Sequence, residues 1–305
     1  MAEATFEMPP KLPVWNTVVQ SYVLTFKNLG WFVQMAWVWI VLFVAALAAI
    51  YWVSWPYQQV AKASGKFIWG EFLGPIPVSL LVGSSIAVAW HRRLLLGEDV
   101  ASSAYLRIDR TVLIYFLWGA LFTLFWLVPI LLTISVIDGL SQNAAPQASI
   151  DSTANSDTVV SNDEVPGFGT SPVELLLAAG FTIAILFGGT IAFSILFYIP
   201  TRLSLILPAL ALGRQKFAAG DSWRITSGNF WRLYIGTALA VALPLSSVLL
   251  SMIFLGFSEI SSTRIWYVFD GCLTEVISLV IGMTGITFLS LAYRHFVGMN
   301  EPSQM

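Results

Sequence analysis

Residues 31–54 have the sequence WFVQMAWVWIVLFVAALAAIYWVS, which contains no charged side chain. A helix needs about 20 consecutive, mostly apolar residues to cross the hydrocarbon core of a bilayer. This stretch exceeds that length, so we predict that it forms a membrane-spanning helix. The whole chain has a similar bias, because 57% of its 305 residues are hydrophobic and only 10% are charged. Soluble domains have about 25% charged residues. The sequence therefore predicts an integral membrane protein.

Five further apolar stretches predict five more spans, at residues 72–91, 112–137, 173–199, 233–257 and 270–293. Together with the first stretch they predict an all-α, polytopic membrane protein with six transmembrane helices in three hairpins. The sixth stretch is the least uniform, because Asp270 and Glu275 fall in its first turns.

The distribution of basic residues predicts the orientation of these helices. Lys and Arg near the ends of spans are retained on the cytoplasmic side of the membrane. With six spans, 12 of the 15 basic residues share a side with the N-terminus, and the other three are Lys62, Lys66 and Arg264. We therefore predict that residues 1–14 and 294–305 are cytoplasmic tails.

The longest connection between spans, residues 138–171, contains five acidic residues and no Lys or Arg. It is rich in Ser, Asn and Ala, and it lacks the apolar residues needed to bury a core. We predict a mobile, acidic external loop. Because surface loops tolerate insertions, we interpret it as an insertion and not as a binding domain.

Three cytoplasmic segments have the periodicity of amphipathic helices that lie in the membrane interface. In residues 15–29, Trp15, Val19, Tyr22 and Phe26 recur at helical spacing on one face. Similar but weaker patterns occur near residues 101–112 and 216–232, and each segment precedes a predicted hairpin. Residues 15–137 then comprise interfacial helices and spans 1–3. Residues 172–293 comprise spans 4–6 with an interfacial segment at 200–232.

Two pairs of short matches indicate an internal duplication. The sequence SYVLTFKN at 21–28 aligns with SWRITSGN at 222–229, and AWHR at 89–92 aligns with AYRH at 292–295. The two alignments have nearly the same offset. We predict three units with the same orientation, each an interfacial helix followed by a hairpin. Many secondary transporters are instead built from inverted repeats.

The segment 200–213, with the sequence PTRLSLILPALALG, contains the first group of candidate site residues, Pro200, Arg202 and Pro208. Each proline interrupts the helical hydrogen bonding at its own position. One interpretation is a kinked helix end whose Arg202 extends to the lipid phosphates. The alternative is a bent, partly re-entrant element that lines a cavity facing the cytoplasm.

Glu275 is a candidate because an ionisable residue inside a span is costly and is often functional. If the sixth helix starts late, Glu275 lies instead at the outer interface. His91 and His295 occupy matching positions in the two aligned segments. They either form a pair across a pseudo-twofold axis or, with Arg92 and Arg93, anchor helix ends to lipid headgroups.

Glycines within the predicted spans are expected to allow close packing of helices. These are Gly83, Gly188, Gly189, Gly282 and Gly285. They predict a compact bundle and say nothing about a substrate.

Three stretches carry a resemblance to a known group of proteins. They are PTRLSLILPALALG at 200–213, DSWRITSGNFWRL at 221–233 and WHRRLLLGE at 90–98. In them the chain resembles YciC-type bacterial inner-membrane proteins and the membrane domain beside some glycerophosphodiester phosphodiesterases, the last stretch resembling alphaproteobacterial members. The resemblance implies six helices in the inner membrane with cytoplasmic termini. It implies no activity, because the phosphodiesterase chemistry belongs to a separate soluble domain.

The sequence contains no recognisable catalytic motif, so we predict no catalytic residue, no cofactor and no metal site. The first functional hypothesis is a scaffold or accessory subunit that contacts membrane lipids, other membrane proteins or a second copy of the chain. The second is a transporter or permease for a small or amphipathic molecule, and the third is a lipid-modifying enzyme using Glu275 or Asp270. The formal charge of -2 gives no reason to expect nucleic acid as a partner.

Overall fold

The computed structural model describes residues 10–64, 73–98, 108–144, 197–214, 217–256 and 263–297. In this part of the chain the predicted all-α class is confirmed, because it contains helices and no β-strand. A helical segment at 197–203 precedes α5. The helices are α1 (Val14–Lys27), α2 (Leu29–Ser64), α3 (Pro75–Leu96), α4 (Arg110–Ala144), α5 (Ile206–Ala211), α6 (Ala219–Ile225), α7 (Phe230–Gly256) and α8 (Arg264–Val297).

Two helical stretches among the described residues, Leu29–Val60 and Arg264–Val297, are long and apolar enough to cross a membrane. They coincide with the first and sixth predicted spans. Helices α3, α4 and α7 cover the second, third and fifth predicted spans. The fourth predicted span lies outside the described residues, except for residues 197–199.

The ends of four helices differ most from the prediction. Helix α2 continues to Ser64 and α3 to Leu96, beyond the predicted ends at residues 54 and 91. Helix α8 begins at Arg264, before the predicted start at residue 270, and α4 continues to Ala144, beyond the predicted end at residue 137. Residues 138–144 of the expected loop are therefore helical, and the rest of that loop lies outside the described residues. For α4 and α8 the prediction took a charged residue as the limit of the span. A charged side chain does not interrupt backbone hydrogen bonds, so a helix continues past it.

The chain forms two compact units. The first comprises residues 1–122 and 198–305, and every site described below lies within it. The second unit is Thr123–Phe197. Of this unit, the structure describes residues 123–144, which are helical, and residue 197.

Helix α8 is the centre of the first unit, where it packs against α1, α2, α3, α5 and α7. Helix α3 is the most enclosed neighbour, since almost every residue from Val82 to His91 is buried. A helix that is surrounded by other helices does not need a strongly apolar face toward lipid. This explains why α3 carries Ser84, Ser85 and His91 within a predicted span.

Local signals set the ends of α3. Pro75 stands at the first position of the helix, where its missing N–H would have had no helical partner. Gly97 follows the last turn with a φ of 68°, and its N–H donates to the Arg93 carbonyl at 3.1 Å. Glycine adopts this left-handed conformation without a Cβ clash, so α3 stops there.

Helix α1 packs against α7 and α8 through small hydroxyl side chains together with Val18 and Tyr22. Thr17, Ser21 and Thr25 are buried, whereas Trp15 and Phe26 are 70% and 65% exposed. The small hydroxyl side chains allow close approach to α7 and α8. Part of the predicted apolar face therefore points away from the bundle, and part of it packs inward.

The two segments that indicated a duplication share part of their local structure. The Thr25 hydroxyl donates to the Ser21 carbonyl, and the Thr226 hydroxyl donates to the Ser222 carbonyl, each at 2.8 Å. In both segments an asparagine then precedes a long helix, which begins at Leu29 or at Phe230. They differ between these features, because residues 25–27 are helical whereas residues 226–229 form a turn.

Candidate functional site

A cavity of about 290 Å³ lies between α2, α3, α4 and α8. Its lining is mostly apolar and includes one charged side chain, Glu275. The lining residues are Phe43, Ser79, Leu80, Gly83, Ser84, Ala87, Tyr115, Gly119, Glu275, Ser278, Leu279, Gly282, Met283 and Ile286.

The cavity runs parallel to the helices that line it. The lining residues of α8 extend from Glu275 to Ile286 at spacings of three and four, which places them on one face of the helix. At 1.5 Å per residue, this face is about 16 Å long. Ser79 and Ala87 mark the corresponding ends on α3. The cavity is therefore elongated, with Glu275 at one end.

The two ends of the cavity differ in exposure. Ala87, Tyr115 and Met283 are buried at the end away from Glu275, and Ile286 is half-buried there. At the other end Glu275, Ser79 and Ser278 are all half-buried. The Glu275 end is therefore the more exposed one, and we call it the open end and the opposite, more buried end the closed end.

Small side chains create this cavity, and here the structure corrects part of the prediction. Among the described residues, a Cβ added to Gly83 or Gly282 would have no atom within 4 Å outside its own helix, so neither glycine is a close-packing site there. Helices approach closely at Gly285, as predicted, where the added Cβ would lie 3.1 Å from Val241. Gly188 and Gly189 lie outside the described residues.

Two glycines that the sequence analysis did not single out form the tightest helix contacts. A Cβ on Gly236 would lie 2.2 Å from the Phe288 ring, and a Cβ on Gly271 would lie 2.5 Å from the Tyr51 ring. These two contacts could not be predicted from the sequence, because each glycine and its opposing aromatic residue lie on different helices that are far apart along the chain.

Glu275 has little polar compensation from the protein. The Ser79 hydroxyl lies 3.3 Å from Glu275 Oε2 and 2.9 Å from the Pro75 carbonyl oxygen, and it has one proton for these two acceptors. No basic side chain in the part of the chain that the structure describes forms an ion pair with Glu275. Because α8 begins at Arg264, Glu275 lies about three turns inside the helix. The late helix start on which the alternative rests is therefore not observed, and the position of Glu275 in the bilayer stays a prediction.

His91 lies beyond the closed end of the cavity and is fully buried. Its Nδ1 is 2.7 Å from the Ser290 hydroxyl, and its Nε2 is 3.1 Å from the hydroxyl of Tyr115, a cavity-lining residue. Both ring nitrogens are thus occupied by protein groups. Because the imidazole is buried and both nitrogens bond protein groups, His91 neither reaches a lipid headgroup nor pairs with His295. Helix α3 also continues for about one and a half turns beyond His91, so His91 does not lie at the helix end.

A second buried hydrogen-bond chain runs beside the first. The Trp90 indole N–H donates to the Thr287 hydroxyl at 2.8 Å, and the Thr287 and Thr25 hydroxyls lie 2.9 Å apart. Hydroxyl residues recur every third position along α8, at Thr284, Thr287 and Ser290, and each bonds to a different neighbour or pair of neighbours. That spacing was a usable sequence signal for the buried polar face of α8.

Arg202 is 7% exposed and donates hydrogen bonds to three protein groups. Its Nε lies 3.2 Å from the Thr226 hydroxyl, its Nη1 lies 2.8 Å from the Tyr198 hydroxyl, and its Nη2 bonds the Trp223 carbonyl. The guanidinium carbon also lies 4.1 Å from the centre of the Trp223 ring. Arg202 therefore does not extend to lipid phosphates, as the first interpretation required.

The backbone around Arg202 is bent, although it does not line the cavity. The helical segment 197–203 contains Pro200 and ends at a turn formed by Ser204 and Leu205, and α5 follows with Pro208 inside it. Helix α5 packs against α3 and α8. The bend predicted for 200–213 is therefore present, but its role in lining a cavity with Arg202 is not found among the described residues.

The remaining candidate residues lie near helix ends. Arg92 forms a two-point ion pair with Glu98, with both N–O distances 2.9 Å. The Arg93 guanidinium lies 5.3 Å from the centre of the Trp31 ring. His295 contacts Phe296, and its buried Nε2 has no hydrogen-bond partner among the described residues. The structure does not bring these residues together with Glu275 or Arg202.

The described residues contain no group of three His, Cys, Asp or Glu side chains able to hold a metal ion. Comparisons of the chain with family models, with curated proteins and with solved structures found no match. The arrangement that stands out is an elongated apolar cavity with one carboxyl group at its open end.

Proposed function

We propose that the chain is a six-span inner-membrane protein that binds a small amphipathic molecule in the cavity between α2, α3, α4 and α8. The observation that carries the proposal is the cavity itself, with its apolar walls and its one charged end. Ligand sites typically have mostly apolar walls, a few placed polar groups and volumes of about 300–1,000 Å³. The cavity volume of about 290 Å³ lies close to the lower end of that range.

The outward-facing side chains support the membrane part of this proposal. Large apolar residues such as Trp37, Val41, Trp52, Leu117 and Leu121 are exposed along α2 and α4. Soluble proteins rarely expose large, continuous apolar patches, because contact between apolar side chains and water is unfavourable. Lipid would cover these side chains without that cost. Helix lengths of 36, 22, 35, 27 and 34 residues in α2, α3, α4, α7 and α8 suffice for five of the six spans.

A transporter or permease is the form of this function in which the bound molecule also crosses the membrane. Membership of the YciC-type group is part of the proposal and rests on the three stretches at 90–98, 200–213 and 221–233. We do not propose a lipid-modifying enzyme. Cys272 lies one turn before Glu275 on α8, but its thiol is directed at the Val44 carbonyl at 3.8 Å. No ion pair or hydrogen bond joins Glu275 to a His or a second carboxylate among the described residues.

A scaffold or accessory subunit is the second candidate, and the exposed face of α1 favours it. Trp15, Val19, Val23 and Phe26 form an apolar stripe on this helix and are 43–70% exposed. A stripe of this kind would lie on a lipid surface or against another membrane protein. It does not account for the cavity, so we place the scaffold second.

Filling the cavity is expected to remove the bound molecule without harming the fold. In the Gly282→Leu variant the new side chain starts in open space, since no atom lies within 4 Å of its Cβ. We expect native mass spectrometry of wild-type protein, extracted with its membrane in polymer discs, to show one retained small molecule. The Gly282→Leu spectrum should lack it, with an unchanged midpoint of thermal unfolding.

Gly30→Leu is the matched control. Gly30 is also helical, has no atom within 4 Å of an added Cβ and does not line the cavity. This variant should retain the molecule. Retention of the same molecule by Gly282→Leu would place its site elsewhere and contradict the proposal. A protein bound in fixed stoichiometry, with no small molecule, would favour the scaffold instead.

A further inference from the structure

We infer that the molecule bound in the cavity is an amphipathic organic cation, with its ammonium group at Glu275 and its slender apolar part toward the closed end. The inference rests on the proposed function and identifies the chemical class of the ligand. It follows from the charge, the hydrogen-bonding groups and the shape of the cavity.

The charge of the site is the first argument. Glu275 is the one charged residue among those that line the cavity, and the described residues provide no basic partner for it. A carboxylate that is partly removed from water is costly unless an opposite charge accompanies it. A ligand ammonium group placed at the open end would supply that charge and form charge-assisted hydrogen bonds.

The hydroxyl groups beside Glu275 give the same polarity. The Ser278 hydroxyl donates its proton to the Thr274 carbonyl at 2.8 Å, and the Ser79 hydroxyl is closest to the Pro75 carbonyl at 2.9 Å. The Ser278 proton is used within its own helix, and the Ser79 proton is shared between the Pro75 carbonyl and Glu275, so each oxygen offers lone pairs to a ligand. The open end therefore presents acceptors. It suits a head group rich in N–H donors and disfavours a carboxylate or phosphate.

The remaining walls determine the other half of the ligand. Beyond Gly282 the lining residues include Ala87, Met283 and Ile286, which offer only apolar side-chain surface. The lined face of α8 is about 16 Å long, so the space is long for its volume of about 290 Å³. A straight alkyl chain fits this shape better than a compact, branched body.

A matched pair of probes tests the inference. n-Hexylammonium and 1-hexanol have the same chain and the same number of non-hydrogen atoms, and they differ in the charge of the head group. Isothermal titration calorimetry of the full chain in discs of zwitterionic lipid measures each dissociation constant, with empty discs correcting for partition into lipid. We expect wild-type protein to bind the ammonium at least ~10-fold more tightly than the alcohol.

Glu275→Gln keeps the size of the side chain and removes its charge. This variant should lose at least ~10-fold of its affinity for n-hexylammonium, while its affinity for 1-hexanol stays within about 2-fold. Asp270→Asn is the control, because Asp270 is an acidic residue of the same helix that does not line the cavity. Its two affinities should match those of wild type. Unfolding midpoints equal to the wild-type value establish that both variants are folded.

The possible failures are distinguishable. Equal binding of both probes to wild type, unaffected by Glu275→Gln, would overturn the cation inference and leave the cavity as a site for neutral molecules. The same holds if neither probe binds but Gly282→Leu still loses the retained molecule in native mass spectra. If neither probe binds and Gly282→Leu keeps that molecule, both the inference and the proposed function are wrong.

Discussion

Arg202→Ala should lower the free energy of unfolding by about 3 kcal/mol, because it removes a buried group that bonds three partners. The guanidinium donates hydrogen bonds to the hydroxyl of Tyr198, which lies in the same helical segment, and to the Trp223 carbonyl and the Thr226 hydroxyl at the end of α6. Without it, buried polar groups lose a partner and a void remains beside the Trp223 ring. Unfolding by SDS in mixed micelles, followed by circular dichroism, measures the change.

Two further substitutions define what Arg202 contributes. Arg202→Lys should restore little of the lost stability, because a single ammonium group cannot reproduce the planar, three-way bonding of a guanidinium. Arg224→Ala is the control, since Arg224 is exposed on α6 and pairs with Asp221 at 3.3 Å. Surface pairs of this kind contribute about 0–1 kcal/mol. If Arg202→Ala were as stable as Arg224→Ala, Arg202 would not be structural, and its role in a transport route would again need testing.

Gly236→Ala should separate α7 from α8 and destabilise the protein by about 1–3 kcal/mol, the range observed for overpacked cores. The added Cβ would lie 2.2 Å from Cζ and 2.5 Å from Cε2 of Phe288. Phe288 is fully buried, so its ring has no free space to move into. The same unfolding assay measures this loss, and a lower yield of folded protein should accompany it.

Gly83→Ala is the control for that clash. Gly83 also lies inside a helix, but an added Cβ would meet no atom within 4 Å. Alanine is favoured over glycine in a helix by about 1 kcal/mol, so this variant should be at least as stable as wild type. The packing of α7 on α8 would be described wrongly if the two variants had the same stability.

The sequence was sufficient for the helical class and for the positions of the long helices. A long apolar run such as 31–54 predicts a helix, because a helix satisfies the backbone hydrogen bonds of such a segment with residues that are near in the sequence. The helix ends were less accurate, since charged residues such as Asp138 were taken as stops. Of the apolar face predicted for α1, Val18 is buried but Trp15 and Phe26 are exposed, and small hydroxyl residues that were not predicted to be buried pack inward.

The site was predicted less completely, because its parts come from distant segments. Glu275 was identified, since a lone carboxylate in an apolar stretch is visible in the sequence. The cavity was not predicted, because it exists where small residues of α3, α4 and α8 face one another. For the same reason neither interpretation of Arg202, a contact with lipid phosphates or the lining of a cavity, identified its protein partners. Two of its partners, Trp223 and Thr226, lie more than 20 residues away and meet it only in the folded chain.

The central claim is that the cavity is an accessible site, and cysteine reactivity at Ser79 tests it most directly. Cys272 is the one cysteine of the sequence, so Cys272→Ala provides a cysteine-free background. In that background we would compare Ser79→Cys, at the open end, with Ser85→Cys, a fully buried position of the same helix. The reagent is methyl methanethiosulfonate, which is small and uncharged.

We predict that the cysteine at residue 79 reacts at least ~10-fold faster than the cysteine at residue 85, because the thiolate and the reagent meet only where solvent can enter. Adding Gly282→Leu, which fills the cavity, should slow the reaction at residue 79. A cysteine at residue 79 that reacts no faster than one at residue 85 would contradict the account.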